Sequence, residues 1–371
     1  MKFTIKRDDL SSRLQAILGV ISTRTTLPIL GNVLITATTD GVSLAATDLD
    51  LSMTALVPAK VTKTGSTTVP ARTFAEVVRE LPDEDVQITV TNHRLEVKSG
   101  QGVYKMSGMS PEEFPRLPSI PDGGAVTIPL DQLRSMVYRT MYAVSNDETR
   151  PALNGILWQA NGERMHMVAT DGHRLAKVSV AGNRLAGLKN ELIVPPKALS
   201  LVLKMANDDT SEVAVMFGEK NIVFKIGDVV VTSRLIEGPY PNYNQVIPKS
   251  NDKFLKVDSA TLAAGVKRVA VLSNSLTKQV KFALSDNTIE LSATNQDVGG
   301  EARETIPCEY KGEDLEIGYN ANYVVEMLKN FDAGDVVFEL ATSISAGLVR
   351  GADDPEKEKY LCLVMPLRLA D

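Results

Sequence analysis

One short string in the middle of the chain carries the residue types that could do chemistry: Ala169-Thr170-Asp171-Gly172-His173-Arg174-Leu175. Histidine titrates near neutral pH, so Asp171 and His173 are a candidate acid–base pair. Such a pair would serve a hydrolase or a transferase only beside a nucleophile or a bound metal ion. The same pattern is also typical of a strand that ends in an Asp-Gly turn at the surface. The string alone leaves both interpretations open.

Other signatures of catalysis or of cofactor binding are absent from the sequence. The histidines are His93, His166 and His173, and neither Cys308 nor Cys362 is close to one of them along the chain. The spacings C-x-x-C and H-E-x-x-H do not occur, nor do the glycine-rich motifs that hold phosphates or the G-x-S-x-G motif that presents a catalytic serine. We therefore predict no catalytic residue, no metal site and no cofactor.

Length and composition limit the class of protein. The 371 residues include 40 Lys+Arg and 46 Asp+Glu, a formal net charge of −6, and predict two or three domains. Two cysteines fit a reducing compartment, the first residues lack the apolar run of a signal peptide, and no run of 18 apolar residues occurs. We expect a cytoplasmic protein that does not contact a membrane. The acidic balance by itself disfavours a nucleic-acid partner.

Two sets of strings recur about every 124 residues, so three copies account for the whole chain. The first set is Ala46-Thr47-Asp48, Ala169-Thr170-Asp171 and Ala293-Thr294-Asn295. The second set is predicted to mark a helix start in each copy, and consists of Val69-Pro70-Ala71, Val194-Pro195-Pro196 and Ile317-Gly318-Tyr319.

The copies share one order of predicted elements. A strand is followed by an amphipathic helix, which in the first copy carries Leu10, Leu14, Ile17 and Ile21 at helical spacing. A hairpin with an Asp40-Gly41 turn comes next, then a second helix and a closing pair of alternating strands. This order predicts an α+β class with antiparallel sheets. Proline-rich stretches set the domain boundaries at 1–121, 122–248 and 249–371, and we expect each domain to hold its own core.

The placement of charge matters more than its sum. The predicted helices carry basic residues off their apolar faces, and these are Arg7, Arg13, Arg72, Arg79, Arg134, Arg139, Lys197, Lys204, Lys267, Arg268 and Lys329. Acidic residues gather in turns, as in Asp83-Glu84-Asp85. Lysine and arginine are common on helix exteriors, but repetition in all three copies predicts a basic surface. An acidic protein can still attract phosphates through such a local field.

The end of the chain is apolar. Tyr360 to Val364 fits a final strand, whereas Pro366 within Met365–Leu369 interrupts strand pairing. We expect this tail either to pack in a groove or to form part of one, and methionine suits an adaptable binding surface.

The threefold repeat, the string Leu27-Pro28-Ile29-Leu30-Gly31-Asn32, the Asp171–His173 string and the terminal Met365-Pro366-Leu367-Arg368-Leu369 together resemble the bacterial DNA polymerase III β subunit family, the replication sliding clamps. The resemblance runs from Met1 to Leu369. It implies three similar clamp-type domains per chain, with two chains closing head to tail into a homodimeric ring. Helices would line its inside and antiparallel sheets its outside. The ring would surround double-stranded DNA without reading sequence and perform no chemistry of its own.

The resemblance also implies the roles of particular residues. DNA-facing positions would be Arg24, Arg72, Arg79, Arg139, Arg150 and Lys197. Tyr104 and Lys105 of one chain would meet Val271 and Leu272 of the other. In Arg150-Pro151-Ala152, relatives often carry aromatic residues after the arginine, so a stacking contribution there is not expected.

A cleft that accepts a short peptide motif is implied as well. Its ligands would be the replicative polymerase α subunit, the clamp-loader complex and other proteins with a clamp-binding motif, while ATP would belong to the separate loader. We expect aliphatic walls with Arg and His at the rim, and Gln245 stands where relatives often have a basic residue. The matching positions are Leu157, Thr170, Gly172, His173, Arg174, Leu175, Pro241, Val246, Leu363, Met365, Pro366, Leu367 and Arg368.

Three functions are therefore compatible with the sequence. The leading one is a processivity factor that tethers the polymerase to DNA. A hydrolase or transferase that uses Asp171 and His173, and a peptide-binding module without a DNA role, are the alternatives.

Overall fold

The computed structural model describes residues 1–22, 26–121, 123–161, 164–182, 191–206, 210–296, 299–354 and 359–369. Within these ranges the α-helices are α1 (Arg7–Ile17), α2 (Ala71–Glu80), α3 (Leu130–Met141), α4 (Pro196–Met205), α5 (Ser259–Ala270) and α6 (Ala321–Leu328). Not one of these helices has the length and apolar character needed to cross a membrane.

Strands outnumber helices in every copy. The first copy contains β1 (Lys2–Lys6), β2 (Asn32–Thr38), β3 (Gly41–Thr47), β4 (Leu51–Val57), β5 (Lys60–Lys63), β6 (Gly65–Pro70), β7 (Asp85–Thr91), β8 (Arg94–Ser99) and β9 (Gly102–Ser107). The second contains β10 (Val126–Pro129), β11 (Ile156–Asn161), β12 (Arg164–Thr170), β13 (Arg174–Ala181), β14 (Leu192–Val194), β15 (Glu212–Phe217), β16 (Asn221–Ile226) and β17 (Val229–Arg234). The third contains β18 (Lys253–Asp258), β19 (Gln279–Ser285), β20 (Thr288–Asn295), β21 (Gly300–Pro307), β22 (Glu309–Lys311), β23 (Leu315–Asn320), β24 (Asp335–Leu340), β25 (Gly347–Gly351) and β26 (Tyr360–Val364).

The chain divides into two compact units. Unit 1 comprises Met1–Asp131 and Lys197–Leu235, and unit 2 comprises Gln132–Pro196 and Ile236–Asp371. Each copy still has the predicted order of strand, helix, hairpin, helix and closing strands, so the α+β class is confirmed. The expected separate core for each copy differs from this packing, because elements of the middle copy contribute to both units.

The described residues of unit 1 form two antiparallel sheets. The smaller has the order β5-β1-β7-β8-β9, and the larger has the order β10-β15-β16-β17-β4-β3-β2-β6. The larger sheet continues from the first copy into the second where β4 pairs with β17, with Met53 opposite Val231. Both residues are fully buried. Helix α2 buries Ala71, Phe74, Ala75 and Val78, which recur at the spacing of one helix face.

Unit 2 is built in the same way, with a sheet that continues from the second copy into the third. Its larger sheet has the order β14-β11-β12-β13-β26-β25-β24-β18-β22, and its smaller one the order β21-β20-β19-β23. The seam lies between β13 and β26, where Ala176 is opposite Cys362. Trp158 on β11, the single tryptophan of the chain, is fully buried in this unit.

Local signals placed most elements correctly. The last strand spans Tyr360–Val364 as predicted. The predicted hairpin joins β2 to β3, and Gly41, which is opposite Thr38 at the start of β3, has a positive φ near +141° that favours glycine. Helix α1 ends at Ile17, so Ile21 lies beyond it, although Ile21 is buried.

The predicted helix start at Ile317-Gly318-Tyr319 is wrong by two residues. Strand β23 runs on to Asn320, whose side-chain oxygen caps α6 by accepting hydrogen bonds from the backbone N–H groups of Asn322 and Tyr323 at 2.9 and 3.4 Å. The true equivalent of Val194-Pro195-Pro196 is therefore Tyr319-Asn320-Ala321.

Candidate functional site

The turn between β12 and β13 is held by side chains of the predicted string. Thr170 Oγ1 donates to the Arg174 carbonyl at 2.7 Å and accepts from the Gly172 N–H at 3.1 Å. Asp171 Oδ1 accepts from the backbone N–H groups of His173 and Arg174, both at 2.9 Å. Gly172 has φ near +90°, a conformation that favours glycine. The string therefore folds as a closed Asp-Gly turn.

This geometry removes the basis for an acid–base pair. Asp171 binds the backbone N–H of His173, and its second oxygen accepts from Arg174 Nε at 3.1 Å. Its side chain is only 14% exposed. The His173 ring instead lies near the Tyr323 ring, with the centroids 6.4 Å apart. Burial raises the pKa of Tyr323, with the Asp171 charge adding to the shift, so this hydroxyl stays protonated at neutral pH and is no general base.

Arg174 is the most heavily committed side chain of the site. Besides Asp171 it binds Glu326 on α6, from Nη1 to Oε2 at 2.6 Å, and the Tyr142 carbonyl, from Nη2 at 2.5 Å. Its guanidinium carbon lies 4.4 Å from the Tyr323 ring centroid and 5.2 Å from that of Tyr142. Only 11% of the side chain is exposed. The Arg174 side chain is thus buried and joins the β12–β13 turn to α6, whereas the resemblance placed it at the rim of the cleft.

An apolar cluster lies along the same strands. It is formed by the buried side chains of Leu157, Val168, Leu175, Ile193, Tyr243, Leu348, Leu361 and Leu363. The strand register explains the assembly, because Leu157 is opposite Val168 and Leu363 is opposite both Leu175 and Leu348. Three predicted wall residues, Leu157, Leu175 and Leu363, therefore share one cluster.

Sequence reasoning missed several residues that pack against this cluster. They are Ala152, Ile236, Tyr240, Ile247 and Ala346. Ala346 and its exposed neighbour Ile344 lie in the loop before β25, which no motif marked. Proximity to the proline-rich stretch was the available signal for Tyr240 and Ile247.

The tail after β26 is hydrogen-bonded to the β12–β13 turn and to the third copy. The Met365 N–H donates to the His173 carbonyl and the Leu367 N–H donates to the Gly318 carbonyl, both at 2.8 Å. Gln279 Nε2 donates to the Arg368 carbonyl at 2.9 Å. Gly318 permits this approach, because a Cβ atom there would lie 2.9 Å from the Leu367 carbonyl oxygen. The tail is thus held against the fold by backbone hydrogen bonds, and its expected role in a groove stays a prediction.

Exposed apolar groups border the cluster. Met365 begins the tail, and Val246 lies three residues after the buried Tyr243; both side chains are exposed. Pro241, His173 and Arg368 are exposed too, and Pro366 and Leu367 are half-buried. The predicted cleft residues outside the apolar cluster therefore fall on three segments of unit 2: the β12–β13 turn, the 240–247 segment and the tail. We name this the candidate cleft.

The predicted DNA-facing cations are mostly paired within the protein. Lys197 binds Asp48, Arg79 binds Glu80, and Arg150 binds Asp147 and the Asp171 carbonyl. Arg24 lies outside the described residues.

Arg139 and Arg72 differ from the others in their surroundings. Arg139 is only 15% exposed, donates from Nη2 to both carboxylate oxygens of Asp332 and lies over the Tyr360 ring. Arg72 on α2 is exposed, and its weak contact to the Ile21 carbonyl is 3.5 Å long.

The predicted interface residues lie at exposed places. Tyr104 is exposed on β9, the edge strand of the five-stranded sheet, and Lys105 beside it pairs with Glu96. Val271 follows α5 and is 77% exposed, whereas Leu272 is half-buried.

Elsewhere in the described ranges, neither a metal site nor the buried cysteine supports a catalytic function. Those ranges hold no group of three His, Cys, Asp or Glu side chains that could bind a metal ion. Burial raises the pKa of the Cys362 thiol to about 12, so this buried cysteine is no thiolate nucleophile at neutral pH.

Comparison with known proteins gives one consistent result. The chain matches the family descriptions "DNA polymerase III beta subunit", N-terminal domain over residues 1–118, central domain over 127–242 and C-terminal domain over 244–368. It is 33% identical to the "Beta sliding clamp" of Escherichia coli (strain K12) over 372 aligned positions, covering 100% of both chains. The match to the sliding clamp of Pseudomonas aeruginosa is 33% with the same coverage.

Solved structures agree. The crystal structure of the DNA polymerase sliding clamp from Bacillus subtilis superimposes with a TM-score of 0.95 at 30% identity. That of the DNA polymerase III subunit beta from Pseudomonas aeruginosa gives 0.94 at 33% identity, and both comparisons cover 100% of each chain. The fold is thus that of a DNA polymerase accessory subunit with three similar domains. The chain belongs to the DNA polymerase III β subunit family, the β sliding clamps, and is not an enzyme.

Replacing Gly318 by alanine should loosen the tail. The new Cβ would lie 2.8 Å from Gln279 Nε2 and 2.9 Å from both the Leu367 carbonyl oxygen and Leu369 Cδ2, so it must displace the tail. Such overpacking costs about 1–3 kcal/mol. Hydrogen exchange at the Leu367 amide should become faster. Gly123→Ala is the matched control, because no atom lies within 4 Å of its added Cβ. Unchanged Leu367 exchange in the Gly318 variant would contradict the assigned contact.

Proposed function

We propose that this protein is the processivity factor of a bacterial replicative polymerase, a ring of two chains that surrounds double-stranded DNA and tethers the polymerase to it. Membership of a family whose members are named sliding clamps carries this proposal. The ring would act through its closed shape, so no bond in the DNA changes. The cytoplasm is the proposed location.

Sequence-independent DNA contact follows from the kind of residues involved. Cations that contact phosphates attract any duplex, whereas sequence is read by contacts to base edges. Arg24, Arg72, Arg79, Arg139, Arg150 and Lys197 are the proposed contacts. Most of those described already have a carboxylate partner, and a phosphate would have to replace it. Exchange between two anionic partners gives weak contacts, which suits a protein that slides.

The dimer would form between exposed edge strands, β9 of one chain and β21 of the other. An unpaired edge strand offers free backbone groups to a second chain. Strands β8 and β9 carry the cations Arg94, Lys98 and Lys105 with the single carboxylate Glu96, whereas β20 and β21 carry Glu290, Glu301 and Glu304 with the single cation Arg303. This complementarity supports a head-to-tail contact that also includes Tyr104, Val271 and Leu272.

The candidate cleft would hold short apolar peptide segments of partner proteins. The replicative polymerase α subunit, the clamp loader and other proteins with a clamp-binding motif are the proposed ligands. The apolar cluster and the exposed side chains of Val246 and Met365 suit aliphatic or aromatic anchor residues of such a peptide. Griselimycin is a useful probe, because the Pseudomonas aeruginosa and Bartonella birtlesii sliding clamps are described as bound to it.

Topological linkage is the property that tests the ring. After loading by the clamp-loader complex, the protein should stay on closed circular DNA in high salt and should leave the same DNA once it is cut, because salt weakens phosphate contacts but cannot open a closed ring. Gel filtration of the labelled protein with DNA measures retention. Equal loss from circular and linear DNA would rule out the ring.

Removing the tail tests the cleft. A chain that lacks Met365 to Asp371 should lose binding of the polymerase α subunit and of griselimycin, because one cleft wall is gone, while the dimer mass is unchanged. A chain that ends at Leu369 is the control and should bind normally. Calorimetry measures both affinities. Normal binding by the shorter chain would eliminate the cleft assignment.

The interface has its own test. Val271→Ala together with Leu272→Ala should shift the particle mass towards one 40.2 kDa chain at nanomolar concentration, since apolar contact area is lost. Ile344→Ala removes an exposed aliphatic group elsewhere and should leave the mass at two chains. An unchanged mass in the double variant would refute these residues as anchors.

A further inference from the structure

The internal repeat supplies a natural comparison for the β12–β13 turn. In the first copy, the β3–β4 turn has the same hydrogen bonds: Thr47 Oγ1 donates to the Leu51 carbonyl, and Asp48 Oδ1 accepts from the backbone N–H groups of Asp50 and Leu51. The next strand joins in the same way in both units. The Arg234 N–H donates to the Asp50 carbonyl at 2.8 Å, as the Met365 N–H does to the His173 carbonyl.

The two turns differ in one set of side chains. Arg174 of unit 2 corresponds to Leu51 of unit 1, at the start of the following strand. Tyr323 and Glu326, the third and sixth residues of α6, correspond to Ala198 and Leu201 of α4. Leu51, Ala198 and Leu201 are all buried. Unit 1 therefore has an apolar set at the positions where unit 2 has an ionic and aromatic one.

The unit 1 turn demonstrates that the backbone closes without the arginine. Taking a guanidinium out of water is costly, and a well-packed apolar set of similar size is often at least as stable as an ion pair. Stability of the turn is therefore a poor reason for the Arg174–Glu326 pair. An ion pair has strict geometric requirements, however, and can fix the position of the elements that it joins.

A continuous series of hydrogen bonds joins Glu326 to the tail. Glu326 Oε2 accepts from Arg174 Nη1, and Arg174 Nε donates to Asp171 Oδ2. Asp171 Oδ1 fixes the His173 N–H, and the His173 carbonyl accepts from the Met365 N–H. Glu326 was absent from the sequence-derived set and, at 46% side-chain exposure, it can be changed without leaving a cavity.

We propose that Glu326 is a positioning residue of the candidate cleft: through Arg174 and the β12–β13 turn it holds the Met365 wall at the place where a partner peptide is bound. This inference rests on the proposed function of the cleft. Glu326 acts through Arg174 and does not itself contact the peptide.

Three variants separate positioning from general stabilisation. Glu326→Ala removes the partner of Arg174, whereas Asp332→Asn weakens the Arg139–Asp332 pair, which also joins the second and third copies in unit 2 but lies against the Tyr360 ring of β26 and not against the β12–β13 turn. Glu326→Gln keeps a hydrogen-bond acceptor and should retain part of the function. Griselimycin affinity, polymerase α affinity, the thermal midpoint and hydrogen exchange at the Met365 amide are measured for each full-length variant.

We expect Glu326→Ala to weaken both affinities about tenfold, as is common for residues coupled through one hydrogen-bonded network. Glu326→Gln should lose less, and Asp332→Asn should bind like the unchanged protein although its thermal midpoint falls to a similar extent. Exchange at Met365 should be faster only in the Glu326 variants.

Normal affinity and normal Met365 exchange in Glu326→Ala would overturn the proposal, as would equal losses in Asp332→Asn. Failure of the unchanged protein to bind either ligand would instead count against the proposed function. The exchange rates at Met365 would still decide whether Glu326 positions the tail.

Discussion

The cross-copy pairing of strands is the constraint on which the rest of the structure depends. Strand β13 ends a hairpin of the second copy and would be an open edge without β26 of the third copy. The pairing closes that edge, sets Leu175 opposite Leu363 and brings the tail next to the β12–β13 turn. The residues of the candidate cleft are therefore brought together by joining two repeats through a sheet, rather than by the packing of one domain.

The side chains at the corresponding seam of unit 1 are different. At the β4–β17 seam of unit 1, the positions of Leu175 and Leu363 are taken by Ser52 and Thr232, which are paired and buried. Leu49 stands at the position of Gly172 with φ near +82°, an uncommon conformation for a residue with a side chain. The backbone design is repeated, whereas the apolar side chains at these positions occur in unit 2. Repetition of the fold thus does not imply repetition of the site.

Sequence patterns predicted what depends on neighbours along the chain. The hairpin at Asp40-Gly41, the strand Tyr360–Val364 and the closed turn at Asp171-Gly172 each arise from a local preference of a few residues. The burial of Arg174 could not be predicted in this way, because its partners Tyr142 and Glu326 are 32 and 152 residues distant. The packing of the middle copy into both units has the same origin, since strand partners across a repeat boundary leave no periodic signal. The cleft set came from family resemblance, and Ile344 and Ala346 were missed because their loop carries no motif.

The position of Trp158 has a practical consequence for spectroscopy. It is the only tryptophan, and it is fully buried on β11 in unit 2. Its emission is therefore sensitive to solvent entry into that unit and largely silent about the sheets of unit 1. A fluorescence melting curve would therefore report the unfolding of unit 2, whereas a circular dichroism curve would report both units. If the two curves did not coincide, the two units would unfold separately.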